Sequence, residues 1–485
     1  MKGMTISSLT VPFCSILQGL ARQKKVKVYL VGGFLRNYLL GRPCLDFDFA
    51  VSKDAIRLAR LFGKKIKGAF VLLDEEHGCA RIVKKQDGRL LTFDFADFRD
   101  KNLKQDLRRR DFTINTLCCS ILHLGENPRR VYSVLIEGKK ALKDLARKKF
   151  SMVSAQSFKE DPLRLLRAFS LRAQLNFDIE KKTLTQIKKD RELIKKAAYE
   201  RIRDELFKIL LTSRASENLR LMDKIGLLEE IIPHITVMFS VTQGGYHHLD
   251  VWPHSLQVLE ELEMILEEFR KDPYISDYLN ESLAGERTRL SILKLAALLH
   301  DIGKPQTKRI EDGKTSFHSH EHVGKGIARH AARLLKLSTR ERYILEDMVL
   351  WHLRPGYLSN FKNPSERAIF RYFRDAQEEA LSILILSLAD QRATRGPLTT
   401  AYDQKHHEEV VRDLIARYIQ KKQEKPFIRL IDGNDLIKAL RLKPSPLFGK
   451  ILSQVEEKQV LGKITARKEA LELARKIAEH EKKKS

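Results

Sequence analysis

The first third of the chain alternates short apolar runs with turn-forming residues, a pattern typical of a mixed α/β domain. The apolar runs predict strands at three places: 27–31, 45–50 and 90–96. Gly32 and Gly33 end the first run, and residues 34–40 predict a short helix after it. We therefore expect an α/β head that covers residues 1–150.

From residue 151 onward the apolar residues recur at helical spacing. Helices are predicted at 162–175, 201–211, 256–269, 290–299, 381–388 and 465–480, and a long surface connection at 272–287. We expect a helical neck for base selection and RNA binding at 151–240, a further domain at 241–400 and a basic helical tail at 401–485. No stretch approaches the ~20 apolar residues that span a bilayer, and the N-terminus lacks a signal peptide, so we expect a cytoplasmic protein without membrane contact.

The charge balance changes this picture by pointing to a polyanion. The 485 residues include 90 Lys and Arg but only 63 Asp and Glu, which gives a formal net charge of +27. Solubility requires a smaller net charge than this. Basic side chains bind phosphates with release of counterions, so a polyanionic partner would explain the excess. A basic surface without a specific partner is the alternative. The five cysteines contain no C-x-x-C pair, which disfavours a disulfide framework or a structural zinc site.

Two aspartates stand at alternate positions of the second predicted strand. Asp46 and Asp48 therefore share one face of it, while the apolar residues between them face a core. Carboxylates held together in this way repel each other unless a cation lies between them, and Mg²⁺ prefers oxygen ligands. Asp94, in the third strand, is a candidate third carboxylate for two-metal phosphoryl transfer. Two solvated aspartates on an edge strand would be the alternative.

The surrounding motifs resemble a known family. Gly32-Gly33 with Arg36, the two aspartates and the R-R-D-F-T-I-N stretch at 109–115 are similar to class II tRNA nucleotidyltransferases and bacterial poly(A) polymerases. The resemblance implies a DNA polymerase β-like α/β head followed by an elongated all-α body, with Mg²⁺ bound by Asp46 and Asp48. It implies contacts to the nucleotide from these residues: Gly32, Gly33, Arg36, Arg109, Arg110, Asp111 and Asn115. The family usually has aspartate where this chain has Asn37, which puts an ion pair at that position in doubt.

The E-D-x-x-R motif at 160–164 is the family's template for the incoming base. Asp161 would accept and Arg164 would donate hydrogen bonds to the base, thereby selecting CTP and ATP, and Arg167 would extend the same face. On residue chemistry alone, Asp161 is also a good helix N-cap, with Pro162 as the first helical residue.

Histidines and aspartates beside apolar helices predict a second metal site. Their order resembles the HD phosphohydrolase domain over 245–396, which implies that a divalent transition metal (manganese, nickel, cobalt, iron or zinc) is bound by His254, His300, Asp301 and Asp390. Lys304 would lie near phosphate, and a second metal position would draw on His318, His320, His322 and His352. In such enzymes the domain removes phosphate or opens cyclic phosphate at RNA 3′ ends; a retained but inactive HD fold is the alternative.

The resemblance implies attack by the 3′ hydroxyl of tRNA on CTP or ATP. A poly(A) polymerase, and an HD phosphohydrolase with a non-catalytic RNA-binding head, stay open as alternatives. The family's mobile loop before R-R-D-F-T is short here, and its hinge motif is degenerate at 131–138. Because the family uses both features to add the final A, two possibilities stay open: a CC-adding enzyme that works with a separate A-adding enzyme, and a CCA-adding enzyme with a naturally short loop.

Overall fold

The computed structural model describes residues 6–123, 139–424 and 427–482, so the degenerate hinge stretch at 131–138 lies outside the described residues. The chain forms two compact units. One comprises the residues up to Ile209 together with Met222–Ile231, and the other comprises Leu210–Leu221 together with the residues from Ile232 onward. Within the described ranges, no helix combines the length and the apolar character needed to cross a membrane.

A six-stranded sheet forms the head. Its strands are β1 (Val28–Val31), β2 (Asp46–Val51), β3 (Ala69–Asp74), β4 (Cys79–Gln86), β5 (Arg89–Asp97) and β6 (Cys118–Ser120). They lie in the order β3-β4-β5-β2-β1-β6, and only the β2–β5 pairing is parallel. The helices of this part are α1 (Ile6–Lys24), α2 (Gly33–Leu39), α3 (Ala55–Ile66) and α4 (Leu103–Arg108). The three predicted strands and the short helix after Gly32-Gly33 are confirmed.

Aromatic packing between β2 and β5 fixes which face of the sheet is buried. Phe47 stacks on Phe93, and Phe49 stacks on Phe95, each with ring centroids 4.9 Å apart. Phe62 of α3 meets Phe93 edge to face at 5.2 Å. Because neighbouring residues of a strand point to opposite faces, this packing turns the alternate residues of β2 and β5 away from the aromatic core.

Further helices follow the sheet along the chain. They are α5 (Lys139–Ala146), α6 (Gln156–Glu160), α7 (Arg164–Leu175), α8 (Lys181–Asp190), α9 (Tyr199–Leu210), α10 (Ala215–Lys224) and α11 (Leu227–Ile231). A short parallel pair, β7 (Lys149–Phe150) and β8 (Asp178–Ile179), lies among them. The helix predicted from residue 162 begins at Arg164, because Asp161 is extended and its carboxylate accepts a hydrogen bond from the Leu163 N–H at 3.3 Å.

The second unit is mainly helical. Its helices are α12 (Val251–Glu268), α13 (Pro273–Leu279), α14 (Arg289–Leu299), α15 (Lys304–Thr307), α16 (His320–Leu334), α17 (Thr339–Trp351), α18 (Arg354–Ser359), α19 (Glu366–Ala376), α20 (Ala380–Ala393), α21 (Ala401–Gln423), α22 (Gly433–Leu440), α23 (Leu447–Val460) and α24 (Arg467–Lys482). The two apolar runs recognised in the sequence are α14 and α20, which are buried over most of their length. Two short hairpins, β9–β10 (Ser282–Ala284, Arg287–Thr288) and β11–β12 (Lys308–Glu311, Lys314–Phe317), interrupt the helices.

The predicted surface connection at 272–287 is wrong. It contains helix α13 and most of the β9–β10 hairpin. Asp272 caps α13 by accepting a hydrogen bond from the Ile275 N–H at 3.0 Å, and Pro273 is its first helical residue. Ile275 and Leu279 are the buried residues of this helix, too few to reveal it by periodicity.

Candidate active sites

The three predicted carboxylates lie on adjacent strands of the head sheet. Asp48 of β2 stands opposite Asp94 of β5, and Asp46 stands opposite Thr92. Thr92 donates a hydrogen bond to Asp46, and Arg81 donates two to Asp94, each at 2.7 Å. The parallel register of β2 and β5 thus places three acidic side chains in one row.

The electrostatics of this row suit a divalent cation. Burial raises the pKa of Asp48, the neighbouring Asp94 raises it further, and only the guanidinium groups of Arg110 and Arg167 oppose this. A cation bound between the carboxylates would offset both the burial and the repulsion. The ligands are carboxylate oxygens, which is the donor set of Mg²⁺. Asp94 is already bound by Arg81, but a carboxylate has lone pairs left for a metal.

A polar cavity of about 290 Å³ adjoins the carboxylates. The predicted site residues that line it are Gly32, Gly33, Asp48, Asp94, Arg110, Asp111, Asn115, Asp161, Arg164 and Arg167. Gly32 has φ +75°, and a Cβ there would lie 3.2 Å from Arg110 Nη1 and 3.6 Å from Asp48 Oδ2. The backbone can therefore approach the cavity at this point only because the residue is glycine.

Asp111 holds one wall of the cavity together. Its Oδ1 accepts hydrogen bonds from the Phe112 N–H at 2.7 Å and from Asn115 Nδ2 at 3.0 Å, and its Oδ2 lies 3.0 Å from Arg167 Nε. Burial would raise the pKa of Asp111, but Arg167 and these hydrogen bonds lower it below its ordinary value. Arg36 extends the network by donating to Asn115 Oδ1 at 2.7 Å. Asp111 therefore orients its neighbours within a buried network.

Three predicted residues are absent from the lining of this cavity: Asp46, Arg36 and Arg109. Arg36 is buried behind it, and burial lowers the pKa of its guanidinium to about 10. Asn37 accepts two hydrogen bonds from Arg36, at 2.9 and 3.0 Å, so the family's aspartate is replaced here by a neutral acceptor. Arg109 donates to the carbonyl of Arg99 at 2.8 Å and pairs with Glu160 at 3.4 Å.

The two residues of the predicted base template face the same cavity. Arg164 is buried, its Nη1 donates to the Ser157 carbonyl at 3.2 Å, and burial lowers its pKa. Asp161 pairs with Arg201 of α9, with Nη2 and Oδ2 3.1 Å apart. An acceptor and a fixed donor fork therefore lie close to the carboxylate row.

Three charged residues of the lining were not predicted from the sequence: Arg99, Asp106 and Arg201. Asp106 is buried, accepts from the Arg99 N–H at 3.1 Å and pairs with Arg110 at 3.4 Å. The only signal in the sequence was indirect, because Asp106 stands three residues before the R-R-D motif at 109–111.

The predicted HD residues come together within the second unit. His254 Nε2 lies 2.9 Å from Asp390 Oδ1, and His300 Nε2 lies 3.2 Å from Asp301 Oδ2. The ligand atoms of His254, His300 and Asp390 all lie within 4.8 Å of one another. Lys304 Nζ is 2.6 Å from Asp301 Oδ2, which places one cation beside this group.

A second group adjoins the first through Asp301. The ligand atoms of Asp301, His320 and His352 also lie within 4.8 Å of one another. His318 and His322, the other candidates for a second metal position, are not in either group. His318 lines a large cavity that Asp301, His320 and His352 also line, and the His322 side chain is 68% exposed. Of the four candidate histidines, two are therefore positioned for a metal.

The tautomers of these histidines favour metal ions. The Nδ1 atoms of His300, His320 and His352 each face a backbone carbonyl at 2.7 to 2.9 Å. A carbonyl only accepts, so each Nδ1 carries the hydrogen and each neutral Nε2 presents a lone pair. The Nε2 atoms of His320 and His352 face each other at 3.3 Å, and His300 Nε2 faces Asp301 Oδ2 at 3.2 Å, with no hydrogen between the two atoms of either pair in these tautomers. A cation between these atoms would satisfy all of them.

Comparison with known proteins identifies the family. The family profile of the poly A polymerase head domain matches residues 28–148, the HD domain profile matches 251–395, and domain 2 of tRNA nucleotidyltransferase matches 398–474. The A-adding tRNA nucleotidyltransferase of Deinococcus radiodurans is 30% identical over 93% of this chain and 95% of its own length. The chain belongs to the tRNA nucleotidyltransferase family. The predicted α/β head with a helical body and HD domain is thereby confirmed.

Other members of the tRNA nucleotidyltransferase family are similar over the same length. The CC-adding enzyme of Thermus thermophilus is 29% identical over 91% of both chains. The CCA-adding enzyme of Thermotoga maritima, solved with tRNA, is 21% identical over 96% of this chain and 95% of its own, with a TM-score of 0.61. Domains of this family generally use divalent metals, in agreement with the two donor sets described above.

Proposed function

We propose that the head of this tRNA nucleotidyltransferase transfers CMP or AMP from CTP or ATP to the 3′ end of tRNA. The observation that carries the proposal is the carboxylate row of Asp46, Asp48 and Asp94 beside a cavity that also holds Asp161 and Arg164. The 3′ oxygen of the RNA forms a bond to the α-phosphorus while the bond from that phosphorus to the bridging oxygen of the β-phosphate breaks. Pyrophosphate leaves, and the hydroxyl proton passes to solvent.

Each group of residues has a distinct role in this proposal. Asp46, Asp48 and Asp94 hold Mg²⁺, which when bound activates the 3′ hydroxyl and stabilises the charge on pyrophosphate. Gly32 and Gly33 let the triphosphate approach the backbone, and Arg110 faces it. Asp161 and Arg164 present an acceptor and a donor fork to the base. Asp111 and Arg36 act as positioning residues, because they bind Asn115 and Arg167 inside the wall.

We infer further that this enzyme adds CC and depends on a separate A-adding enzyme. Only residues 98–102 connect β5 to α4, and the Arg99 N–H of this connection donates a hydrogen bond to Asp106 of α4. This connection is too short and too well bonded to serve as the mobile loop that the family uses to switch from C to A. The A-adding and CC-adding relatives each match more than nine tenths of this chain, so this architecture is compatible with a single step.

The test uses three tRNA substrates, ending before CCA, after C and after CC, each with CTP and ATP together. Sequencing of the products should find that the first two are extended to CC and that the third is left unextended. Addition of A to the third substrate at a rate similar to C addition would contradict the CC-only inference. That result would not affect the proposal that the enzyme transfers nucleotides to tRNA.

A second activity is favoured by the adjoining metal-binding groups of the HD domain. We propose that His254, His300, Asp301 and Asp390 bind a divalent transition metal (manganese, nickel, cobalt, iron or zinc), and that His320 and His352 with Asp301 bind a second. The bound metal would supply a nucleophilic hydroxide. Water oxygen bonds to the phosphorus of a 2′,3′-cyclic phosphate, one phosphorus–ribose oxygen bond breaks, and the proton ends on the released ribose oxygen.

Asp301→Ala tests this second activity, since Asp301 contributes to both groups. Hydrolysis of a 2′,3′-cyclic or 3′-phosphate RNA end by the metal-loaded enzyme should be lost, while nucleotide addition to tRNA is retained. Bound metal, measured by mass spectrometry after dialysis, should fall in parallel. Absence of hydrolysis with every metal tested in the parent enzyme would favour an inactive HD fold.

A further inference from the structure

The HD cavity, about 920 Å³ in volume, has a mouth lined by exposed aromatic side chains. Tyr246, Tyr357 and Tyr402 all line this cavity and are 60%, 55% and 70% exposed. The metal-binding residues Asp301 and Asp390 lie on the same cavity. Single exposed aromatic side chains are common on protein surfaces, but several of them grouped around one polar cavity indicate a binding surface.

The three tyrosines come from separate segments that are fixed to one another. The backbone carbonyl of Tyr246 accepts a hydrogen bond from the Gly396 N–H at 2.7 Å. The ring of Tyr402 lies parallel to that of His406, with centroids 6.0 Å apart and 10° between the planes. His406 Nε2 in turn lies 3.3 Å from the carbonyl of Phe361, close to the segment that carries Tyr357. The backbone segments that carry the three tyrosines are therefore tied together around the mouth.

The lining of this cavity holds two lysines and four carboxylates, namely Lys304, Lys362, Asp301, Glu321, Asp390 and Asp403. A phosphodiester would therefore depend on the cations at the floor, which are the proposed metal ions and Lys304. Lys304 lies at the floor beside Asp301, and Lys362 lies on the lining farther along the chain. Asp403 is also on the lining, but it is occupied in the capping box of α21, where its carboxylate accepts from Thr400. Cations at the floor and aromatic rings at the mouth are the combination with which proteins bind single-stranded nucleic acid.

We propose that this cavity takes an unpaired RNA 3′ segment, with the terminal phosphate at the metals and the preceding bases stacked on Tyr246, Tyr357 and Tyr402. This inference rests on the proposed phosphohydrolase activity and specifies its substrate. An isolated nucleotide would reach the metals without using the mouth. A strand would gain a stacking contact for each base that meets a tyrosine, and duplex ends would be excluded.

The experiment compares a short single-stranded RNA that ends in a 2′,3′-cyclic phosphate with cytidine 2′,3′-cyclic phosphate. For the metal-loaded enzyme, Tyr402→Ala and Tyr357→Ala should each raise KM for the strand by about tenfold, within the range of one lost base stack. The KM for the mononucleotide and kcat for both should change by less than about twofold. Tyr402→Phe should restore strand binding. Tyr343→Ala serves as the matched control, since Tyr343 is 53% exposed but does not line the cavity.

A binding measurement tests the single-strand site independently of the proposed phosphohydrolase activity. The probe is the same strand with 4-thiouridine before the last nucleotide and a 3′-phosphorothioate end, photo-crosslinked to the full-length enzyme. Cross-links that map to the mouth tyrosines support the strand site even if no metal gives hydrolysis, in which case only the phosphohydrolase proposal fails. The strand site would be overturned if KM were equal for the strand and the mononucleotide, if the tyrosine variants left KM unchanged, and if no cross-links mapped to the mouth. The proposed phosphohydrolase activity would then still stand.

Discussion

At the scale of residues, the head site depends on Asp48, a carboxylate that the fold holds at an energetic cost. Burial and the neighbouring Asp94 both raise the pKa of Asp48, so a charged Asp48 opposes folding. A protein keeps such a group when it serves a function. The alternation of apolar and acidic residues in β2 made Asp46 and Asp48 recognisable as a pair in the sequence. The ion pair between Arg81 and Asp94 depends on how β4 pairs with β5, so it could not be predicted from the sequence.

Asp48→Ala should reduce nucleotide addition by at least about 10² to 10³-fold, because it removes a proposed metal ligand from the carboxylate row. The free energy of unfolding should stay level or rise, since a desolvated charge is removed. Single-turnover transfer rates and tRNA affinity would be measured side by side, and the affinity should change by less than about twofold. Asp178→Ala, at an exposed aspartate of the same unit, is the control. Near-parental transfer by Asp48→Ala would refute the metal assignment.

Asp161→Ala should erode the choice among nucleotides. The variant loses the acceptor that faces the cavity, so UTP and GTP incorporation should rise by about tenfold or more relative to CTP. If Asp161 served only to cap α7, the variant would lose about 1 kcal/mol of stability with selectivity unchanged. Incorporation assays beside thermal melting distinguish the two, and Glu180→Ala is the control because Glu180 caps α8 and does not line the cavity.

At the scale of elements, the helices and strands with strong periodicity could be predicted from the sequence. Elements and side chains whose positions depend on tertiary contacts could not. The strands, α14 and α20 were predicted because their apolar runs are long and bounded. Helix α13 was missed because its stability comes from its cap and two buried side chains. The convergence of His320 and His352 on Asp301 depends on how α16 and α17 pack, so spacing alone could not separate them from His318 and His322.

The turn between α14 and α15 is the element that fixes the HD metal site. A Cβ on Gly303 would lie 2.1 Å from the His320 carbonyl oxygen, at the start of α16. Gly303→Ala should therefore displace His320, reduce bound HD metal after dialysis by several-fold and cost about 3 kcal/mol of stability, while tRNA extension continues. The matched control is Gly326→Ala in α16, where a Cβ would meet nothing within 4 Å. Unchanged metal content would contradict the role given to this turn.

At the scale of the whole molecule, the net charge of +27 should govern affinity for RNA. The affinity for tRNA should fall by at least about tenfold between about 50 and about 200 mM salt, because counterions are released when basic side chains meet phosphates. Filter binding across that range provides the slope. A flat dependence would show that the basic residues do not lie against the RNA.

The central claim is that this chain adds nucleotides to tRNA 3′ ends without a template, and one competition assay tests it most directly. Purified enzyme receives CTP, ATP, Mg²⁺, a tRNA ending before CCA and an unstructured RNA of equal length, and both products are sequenced. We expect C addition to the tRNA, little change in the unstructured RNA and no addition by Asp48→Ala. Repeated A addition to the unstructured RNA, or no incorporation into the tRNA, would contradict it.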